Sequence, residues 1–143
     1  MEISERMNLV APCGIDCGIC ELYICKDSTA LFERLVANGI PKEKIPCKDC
    51  RAIEGNCPLL NETCATYSCL QEKKIDFCFD CGDFPCVMLQ PSSDRADVLP
   101  HNLKVFNLSK IKNAGLQQFI ENSLEIKKRY YKGKMIIGKG PQI

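Results

Sequence analysis

The residues able to do chemistry in this 143-residue chain are its twelve cysteines, all of which lie between Cys13 and Cys86. Three pairs have the C-x-x-C spacing, which places two sulfur atoms on one tight turn with backbone N–H groups facing them. Zinc binds four such ligands in a tetrahedron, and closed sites of four thiolates are common. The predicted ligands are Cys13, Cys17, Cys20, Cys25, Cys47, Cys50, Cys57, Cys64, Cys69, Cys78, Cys81 and Cys86.

The twelve thiols are sufficient for three four-thiolate zinc sites, and we expect two to three zinc ions per chain. We expect each C-x-x-C pair to stay together on one ion, with partners supplied by other segments. Eight of the twelve are the best-supported ligands, and their Cys→Ser variants should lose metal and solubility: Cys13, Cys17, Cys20, Cys47, Cys50, Cys78, Cys81 and Cys86. Cys57, Cys64 and Cys69 come next as predicted ligands, and Cys25 comes last.

Disulfide bonds are the first competing use of these thiols. The opening MEISERMNLVAP has neither the basic nor the apolar region of a signal peptide, so we expect a cytoplasmic protein. In the cytoplasm thiols are kept reduced, and dense C-x-x-C pairs there are typical of metal binding. No run of 18 apolar residues is present, so no membrane-spanning helix is expected.

An iron–sulfur cluster is the main alternative to zinc. The complete ferredoxin spacings are absent, but thiolates from separated segments can also hold a cluster. The protein would then be an electron carrier or a redox sensor. A further alternative is an enzyme that uses an open metal position. Closed four-thiolate zinc sites leave no such position, so we expect a scaffold or interaction module rather than an enzyme. His101 is the only histidine, and we expect it to have a surface or capping role.

Short helices must position these cysteine loops. The predicted fold is small and mainly α, with irregular cysteine-rich metal-knuckle loops packed on short helices. The helix-forming stretches are 28–38, 63–74, 102–113 and 116–131, the last two separated by Gly115. Asp27 or Ser28 caps the first helix, and Gly39 ends it. We expect Leu116, Phe119, Ile120 and Leu124 of the last helix to pack in the core.

The core predicted from composition is thin. Hydrophobic residues make up 45% of the chain, but this count includes the twelve cysteines, and no tryptophan is present. Without the cysteines the apolar share is about 36%, against about 45–50% in ordinary globular domains. A structural zinc contributes an apparent 10–16 kcal/mol in finger peptides, whereas a whole domain is stable by only about 5–15 kcal/mol. Bound metal is therefore expected to supply much of the stability.

Charge divides the chain into two parts. Residues 1–90 carry 9 basic and 14 acidic side chains, and residues 91–143 carry 10 basic and 4 acidic ones. We interpret 1–90 as a cysteine-rich metal-binding module and 91–143 as a helical segment with a basic tail, forming one domain with it. The tail either docks against the electronegative module or binds nucleic acid, with Tyr130 and Tyr131 available for stacking. We expect the first, and a protein partner rather than nucleic acid.

Several motifs resemble those of a known family. The stretches CGIDCGICELY, CKDCR, CATYSCLQEKKIDFCFDCGDFPC and NLSKIKNAGLQQFI are similar to the cysteine-rich domain-of-unknown-function family 3795, which is predicted to bind zinc. The similarity covers roughly residues 11–125 and is most specific in C-G-x-x-C-x-x-C and in C-x-x-C-x-x-F-P-C. It implies zinc binding and brings no activity. Many members carry a further cysteine pair after the last helix, where this chain has KMIIGKG.

Overall fold

The computed structural model describes residues 1–89 and 100–142. Helices make up most of its regular structure, and the small, mainly α fold predicted from the sequence is confirmed. One antiparallel hairpin follows them, formed by β1 (Lys134–Ile136) and β2 (Gly140–Gln142). The helices are α1 (Ile3–Asn8), α2 (Glu21–Ile24), α3 (Thr29–Ala37), α4 (Ala65–Lys73), α5 (Lys104–Ala114), α6 (Leu116–Glu121) and α7 (Ser123–Ile126).

The cysteine loops between these helices are built on short 3₁₀ turns. Two of these turns, Cys17–Ile19 and Cys78–Asp80, begin at the first cysteine of a C-x-x-C pair. In each, the N–H of the second cysteine donates to the carbonyl of the first, at 3.1 Å for Cys20 and 3.1 Å for Cys81. This tight turn holds the two cysteines of a pair on one bend.

Local signals in the sequence located α3 and α4 correctly. The Ser28 hydroxyl accepts a hydrogen bond from the N–H of Leu31 at 3.2 Å, so Ser28 rather than Asp27 caps α3. Gly39 follows that helix with a φ of +93°, a conformation that favours glycine. The helix predicted over 63–74 is α4, which begins two residues later at Ala65.

The prediction of one continuous helix over 116–131 is wrong. The segment divides into α6, α7 and a π-helical turn over Lys127–Tyr131. The break falls at Asn122, whose side chain donates to the Gln118 carbonyl at 3.0 Å. Ser123 and Ile126 are therefore turned towards the core, and Leu124, expected there, is 77% exposed. The helix predicted over 102–113 begins at Lys104, after a 3₁₀ turn at Pro100–Leu103.

Two clusters of buried side chains hold the fold together. The main cluster includes Val10, Leu70 and Leu89 together with Leu108 and Phe119, so it draws on both parts of the chain. A smaller cluster, which we call the second core, contains Leu22, Cys25, Leu35 and Ile45. Among the described residues, no helix has the length and apolar character needed to cross a membrane.

Candidate metal centre

Four cysteines from three separated segments form what we call the first group: Cys13, Cys17, Cys50 and Cys64. Cys13, Cys50 and Cys64 line a cavity of about 10 Å³, which is on the scale of one water molecule or one ion. Cys17 adjoins them: burial raises the pKa of its thiol, and the backbone N–H of Cys50, the next largest influence, lowers it. Pro12, Tyr67 and Leu70 are among the other residues that line this cavity.

The second group, Cys20, Cys47 and Cys57, lies against the second core. The charges of Cys57 and Cys20 act on Cys47, and the charge of Cys57 acts on Cys20. Cys25 belongs to the same core and is 2% exposed. Its thiol donates a hydrogen bond to the Leu22 carbonyl at 3.3 Å. Cys25 therefore lies close to the second group but is engaged by the backbone of α2.

The third group, Cys69, Cys78, Cys81 and Cys86, lines a cavity of about 210 Å³ next to α4. In this third group, the side chains of Lys73, Cys81 and Asp83 contact one another. The Lys73 ammonium lies 3.1 Å from the Cys81 sulfur and 3.2 Å from a carboxylate oxygen of Asp83. The Asp83 N–H also points at that sulfur, at 3.4 Å. Such N–H groups and cations around a sulfur favour its thiolate form.

Burial keeps most of the thiols neutral in the metal-free chain. Burial, with a smaller contribution from neighbouring cysteines, raises the pKa of Cys50 to about 12, of Cys47 to about 11 and of Cys78 to about 12. Cys81 differs, because the Asp83 N–H and then Lys73 lower its pKa. Zinc binds the thiolate and displaces the proton, so binding at the buried sulfurs would release protons.

The cysteines are neighbours, but their sulfurs do not converge. Among the residues that the structure describes, no three His, Cys, Asp or Glu side chains are placed closely enough to hold one ion. The donor set is nevertheless the soft sulfur type that suits zinc and iron–sulfur clusters. All twelve cysteines are free thiols. The three groups are therefore neighbourhoods of suitable donors, not assembled coordination spheres.

The grouping bears on the expectation that each C-x-x-C pair stays on one ion. Cys78 and Cys81 lie in one group. Cys17 and Cys20 are assigned to different groups, although burial and, to a smaller extent, Cys20 raise the pKa of Cys17. Cys47 and Cys50 are likewise assigned to different groups, although burial and, to a smaller extent, Cys57 of the second group raise the pKa of Cys50. The pairing rule stays a prediction.

Comparison with known protein families gives a match. The model of the family described as "Protein of unknown function (DUF3795)" matches residues 9–91, which is more than half of the chain. The chain belongs to this family. The resemblance predicted from the cysteine motifs is thereby confirmed, although the match ends at 91 and does not reach 125. Comparisons with curated proteins and with solved structures give no match.

Within the part that matches DUF3795, sequence reasoning missed Asp16. Its carboxylate is 1% exposed and accepts hydrogen bonds from Arg6 at 3.1 Å, from the Ser123 hydroxyl at 2.5 Å and from the Gly18 N–H at 2.9 Å. These bonds fix the loop from Cys13 to Cys20 to α1 and α7. Asp16 directly precedes a cysteine, which was a usable signal, but its distant partners were not visible in the sequence.

Arg51 was missed as well, although it is the last residue of the CKDCR motif. Its Nε donates to the Val10 carbonyl at 2.9 Å, and its Nη1 donates to the Asp76 carboxylate at 2.7 Å. The guanidinium also lies over the Phe77 ring, 5.0 Å from its centroid. Arg51 thus connects three cysteine-bearing segments of the DUF3795 region. The side chain of His101 lies outside the described part of the structure, so its predicted role stays a prediction.

Proposed function

We propose that this member of the DUF3795 family is a cytoplasmic zinc-binding module with structural four-thiolate sites. The observation that carries the proposal is the gathering of eleven cysteines into three neighbourhoods from segments far apart in the sequence. Buried thiols serve as small hydrophobes in many cores. So many cysteines in three small regions are better explained if a metal ion links the segments within each region.

The proposed ion count follows from the groups. The first and third groups each have four cysteines, the number that a closed tetrahedral zinc site needs. The second group has three, and Cys25 is the remaining cysteine of the same core. To bind as a fourth ligand, Cys25 would have to give up its hydrogen bond to Leu22. Two ions are therefore proposed for the first and third groups, and a third ion depends on Cys25.

An iron–sulfur cluster in the third group is the second candidate. The cavity there has a volume of about 210 Å³, many times the space of one ion. A cluster of several iron and sulfide atoms is larger than a single zinc and also takes thiolate ligands. On this alternative the protein would be an electron carrier or redox sensor.

As to its wider role, we propose a scaffold or interaction module without catalytic activity, in a pathway that remains to be identified. Four-thiolate zinc sites are closed to substrates. The proposed partner is a protein, since the two tail tyrosines considered for stacking on nucleic-acid bases are both partly buried. Tyr130 packs on Phe106 with ring centroids 4.7 Å apart, and burial raises the pKa of the partly buried Tyr131.

The experiment is metal analysis of protein purified without oxygen. We expect colourless protein with two to three zinc ions per chain. Cys50→Ser should remove at least one ion, because Cys50 lies against the cavity of the first group. Cys25→Ser should remove less zinc than Cys50→Ser. Brown protein with stoichiometric acid-labile sulfide would support the cluster instead, and unchanged zinc content in Cys50→Ser and Cys78→Ser would contradict the proposed ligands.

A further inference from the structure

The hairpin of β1 and β2 carries two adjacent isoleucines at its turn. Ile136 is the last residue of β1, and Ile137 follows it. The turn closes where the Lys139 N–H donates to the Ile136 carbonyl at 3.0 Å, and Gly138 within it has a φ of +80°. Ile137 is 100% exposed and Ile136 is 39% exposed. Turns usually carry small polar residues, glycine or proline, so an apolar pair at this tip is unusual.

The base of the hairpin is held against the body of the protein. The Gly133 N–H donates to the Arg129 carbonyl at 3.1 Å. A Cβ at Gly133 would collide with the carbonyl oxygens of Arg129 and Gln142, so the base of the hairpin and the π-helical turn are in close contact. That turn is itself anchored, since Tyr130 packs on Phe106 with ring centroids 4.7 Å apart. The hairpin therefore projects from a fixed base, with the two isoleucines at its far end.

Lysines flank the apolar tip, and no acidic side chain balances them. Lys132, Lys134 and Lys139 are all exposed. In the part of the chain that the structure describes, none of the three forms an ion pair. Lys134 and Ile136 are two residues apart on β1, so their side chains project from the same face of the hairpin. The sequence after residue 125 contains no Asp or Glu.

An apolar tip flanked by cations has the chemistry that fits an anionic lipid surface. Negative headgroups attract lysines, and the acyl boundary beneath them takes up apolar side chains. A nucleic acid offers negative charge but no apolar interior, and it gains affinity by stacking on aromatic rings. The nearby rings of Tyr130 and Tyr131 are partly buried. Binding at the membrane surface also needs no membrane-spanning helix.

We propose that the tip of the β1–β2 hairpin inserts into the surface of anionic lipid bilayers. Ile137 enters the acyl boundary first and Ile136 follows it, while Lys132, Lys134 and Lys139 lie among the negative headgroups. The inference goes beyond the proposed zinc module and does not depend on its metal. It places the proposed scaffold on a membrane and leaves its other faces available to a protein partner.

The first test is sedimentation of the full-length protein with lipid vesicles. We expect binding to phosphatidylcholine vesicles that contain about 30% phosphatidylserine and none to pure phosphatidylcholine. Ile137→Ser should weaken binding roughly tenfold, because the apolar side chain that inserts is lost. Lys132→Gln combined with Lys134→Gln should weaken it roughly twentyfold.

Matched controls remove the same chemistry from other parts of the surface. Leu59→Ser removes an apolar side chain that is 61% exposed in the loop after Cys57. Lys42→Gln removes an exposed charge from the turn before Ile45. Neither residue belongs to the hairpin, so both variants should bind the vesicles as wild type does.

The second test reports insertion directly. The chain has no tryptophan, so Ile137→Trp introduces a single indole at the tip and keeps it apolar. We expect its fluorescence to shift to shorter wavelength on anionic vesicles and to be quenched by lipids brominated on their acyl chains. Leu59→Trp is the control and should show neither change.

The outcomes separate insertion from simple charge attraction and from nucleic-acid binding. Quenching of Ile137→Trp, together with weaker binding of Ile137→Ser, supports the inference. Wild-type protein that does not sediment with anionic vesicles overturns it. Vesicle binding that Ile137→Ser leaves unchanged, with no quenching of Ile137→Trp, overturns insertion of the tip. Tighter binding to single-stranded DNA than to anionic vesicles overturns the lipid surface as the partner.

Discussion

At the scale of single residues, the cysteine loops are held by polar side chains that are not metal ligands. Asp16 is the clearest example, because three donors from three parts of the chain converge on its buried carboxylate. One of them, Arg6, also donates to Ser123 at 3.3 Å, so the three side chains form a closed network. In a low-dielectric setting such a network costs most when only one member is removed. The loop geometry therefore depends on Asp16 whether or not metal is bound.

We predict that Asp16→Asn lowers the free energy of unfolding by about 2–4 kcal/mol, because Arg6 loses its buried counter-charge. The measurement is urea denaturation at one fixed zinc concentration. The matched control is Glu21→Gln. Its ion pair with Arg34 has the same 3.1 Å separation as the pair of Asp16 with Arg6 but is about half exposed on both sides.

That exposed pair should contribute less than about 1 kcal/mol, since water screens it. If Asp16→Asn and Glu21→Gln lower the free energy of unfolding equally, the buried Asp16 network adds no more stability than an exposed ion pair, and this prediction is wrong.

At the scale of elements, the sequence located helices whose ends are set by local chemistry. The Ser28 cap and Gly39 defined α3, and Gly115, with a φ of +87°, separates α5 from α6. Elements set by distant contacts were missed. Helix α1 has no buried residue of its own, and α2 spans only four residues beside the second core. These helices are too short to show a detectable apolar periodicity. Tertiary contacts, rather than their own sequence, supply their stability.

The candidate site shows the same division. The sequence names all twelve cysteines as candidate ligands, six of them in the local C-x-x-C pattern, and their role as ligands stays a prediction. Which cysteines are neighbours was not predictable, because the groups join segments such as Cys13 and Cys64 across long stretches of chain. The hydrogen bonds by which Asp16 and Arg51 hold these segments together join residues far apart in the chain, so their partners were not predictable from local sequence.

The close approach of α5 to the first cysteine loop gives a prediction for Gly14. Its φ is +90°, and a Cβ there would lie 2.9 Å from the Lys104 carbonyl oxygen and 2.9 Å from Leu108 Cγ. Gly14→Ala should therefore pay both a backbone cost of about 1–2 kcal/mol and an overpacking cost of about 1–3 kcal/mol. Urea denaturation measures the sum.

Gly39→Ala is the control for the backbone cost alone. Gly39 has a similar φ of +93°, but a Cβ there would meet no atom within 4 Å. It should cost only about 1–2 kcal/mol. Equal effects of the two substitutions would mean that α5 can move away from the loop to accommodate the added methyl group.

At the scale of the whole molecule, the acidic and basic parts of the chain contact each other at the Cys17–Cys20 loop. Lys127 donates to the carbonyl of Ile19 at 3.0 Å, and the charges of Asp16, Cys20 and Cys17 act on Tyr131. Arg129 pairs instead with Glu125 at 3.0 Å. Part of the basic tail therefore lies against the cysteine-rich module. The division at residue 90 into a module and a helical segment stays a prediction, although one buried cluster includes side chains from both.

This contact predicts how salt affects stability. Thiolates formed on metal binding make the Cys17–Cys20 loop more negative, so Lys127 should stabilise the zinc-loaded protein more than the metal-free protein. Raising the salt concentration from about 0.05 to 0.5 M shortens the screening length to a few ångströms and should lower the thermal midpoint of the loaded protein. Lys127→Met should lose part of that salt dependence, whereas Lys128→Met, which removes an exposed charge, should keep it. Binding to single-stranded nucleic acid that weakens steeply with salt would contradict internal docking, and so would a midpoint that does not respond to salt.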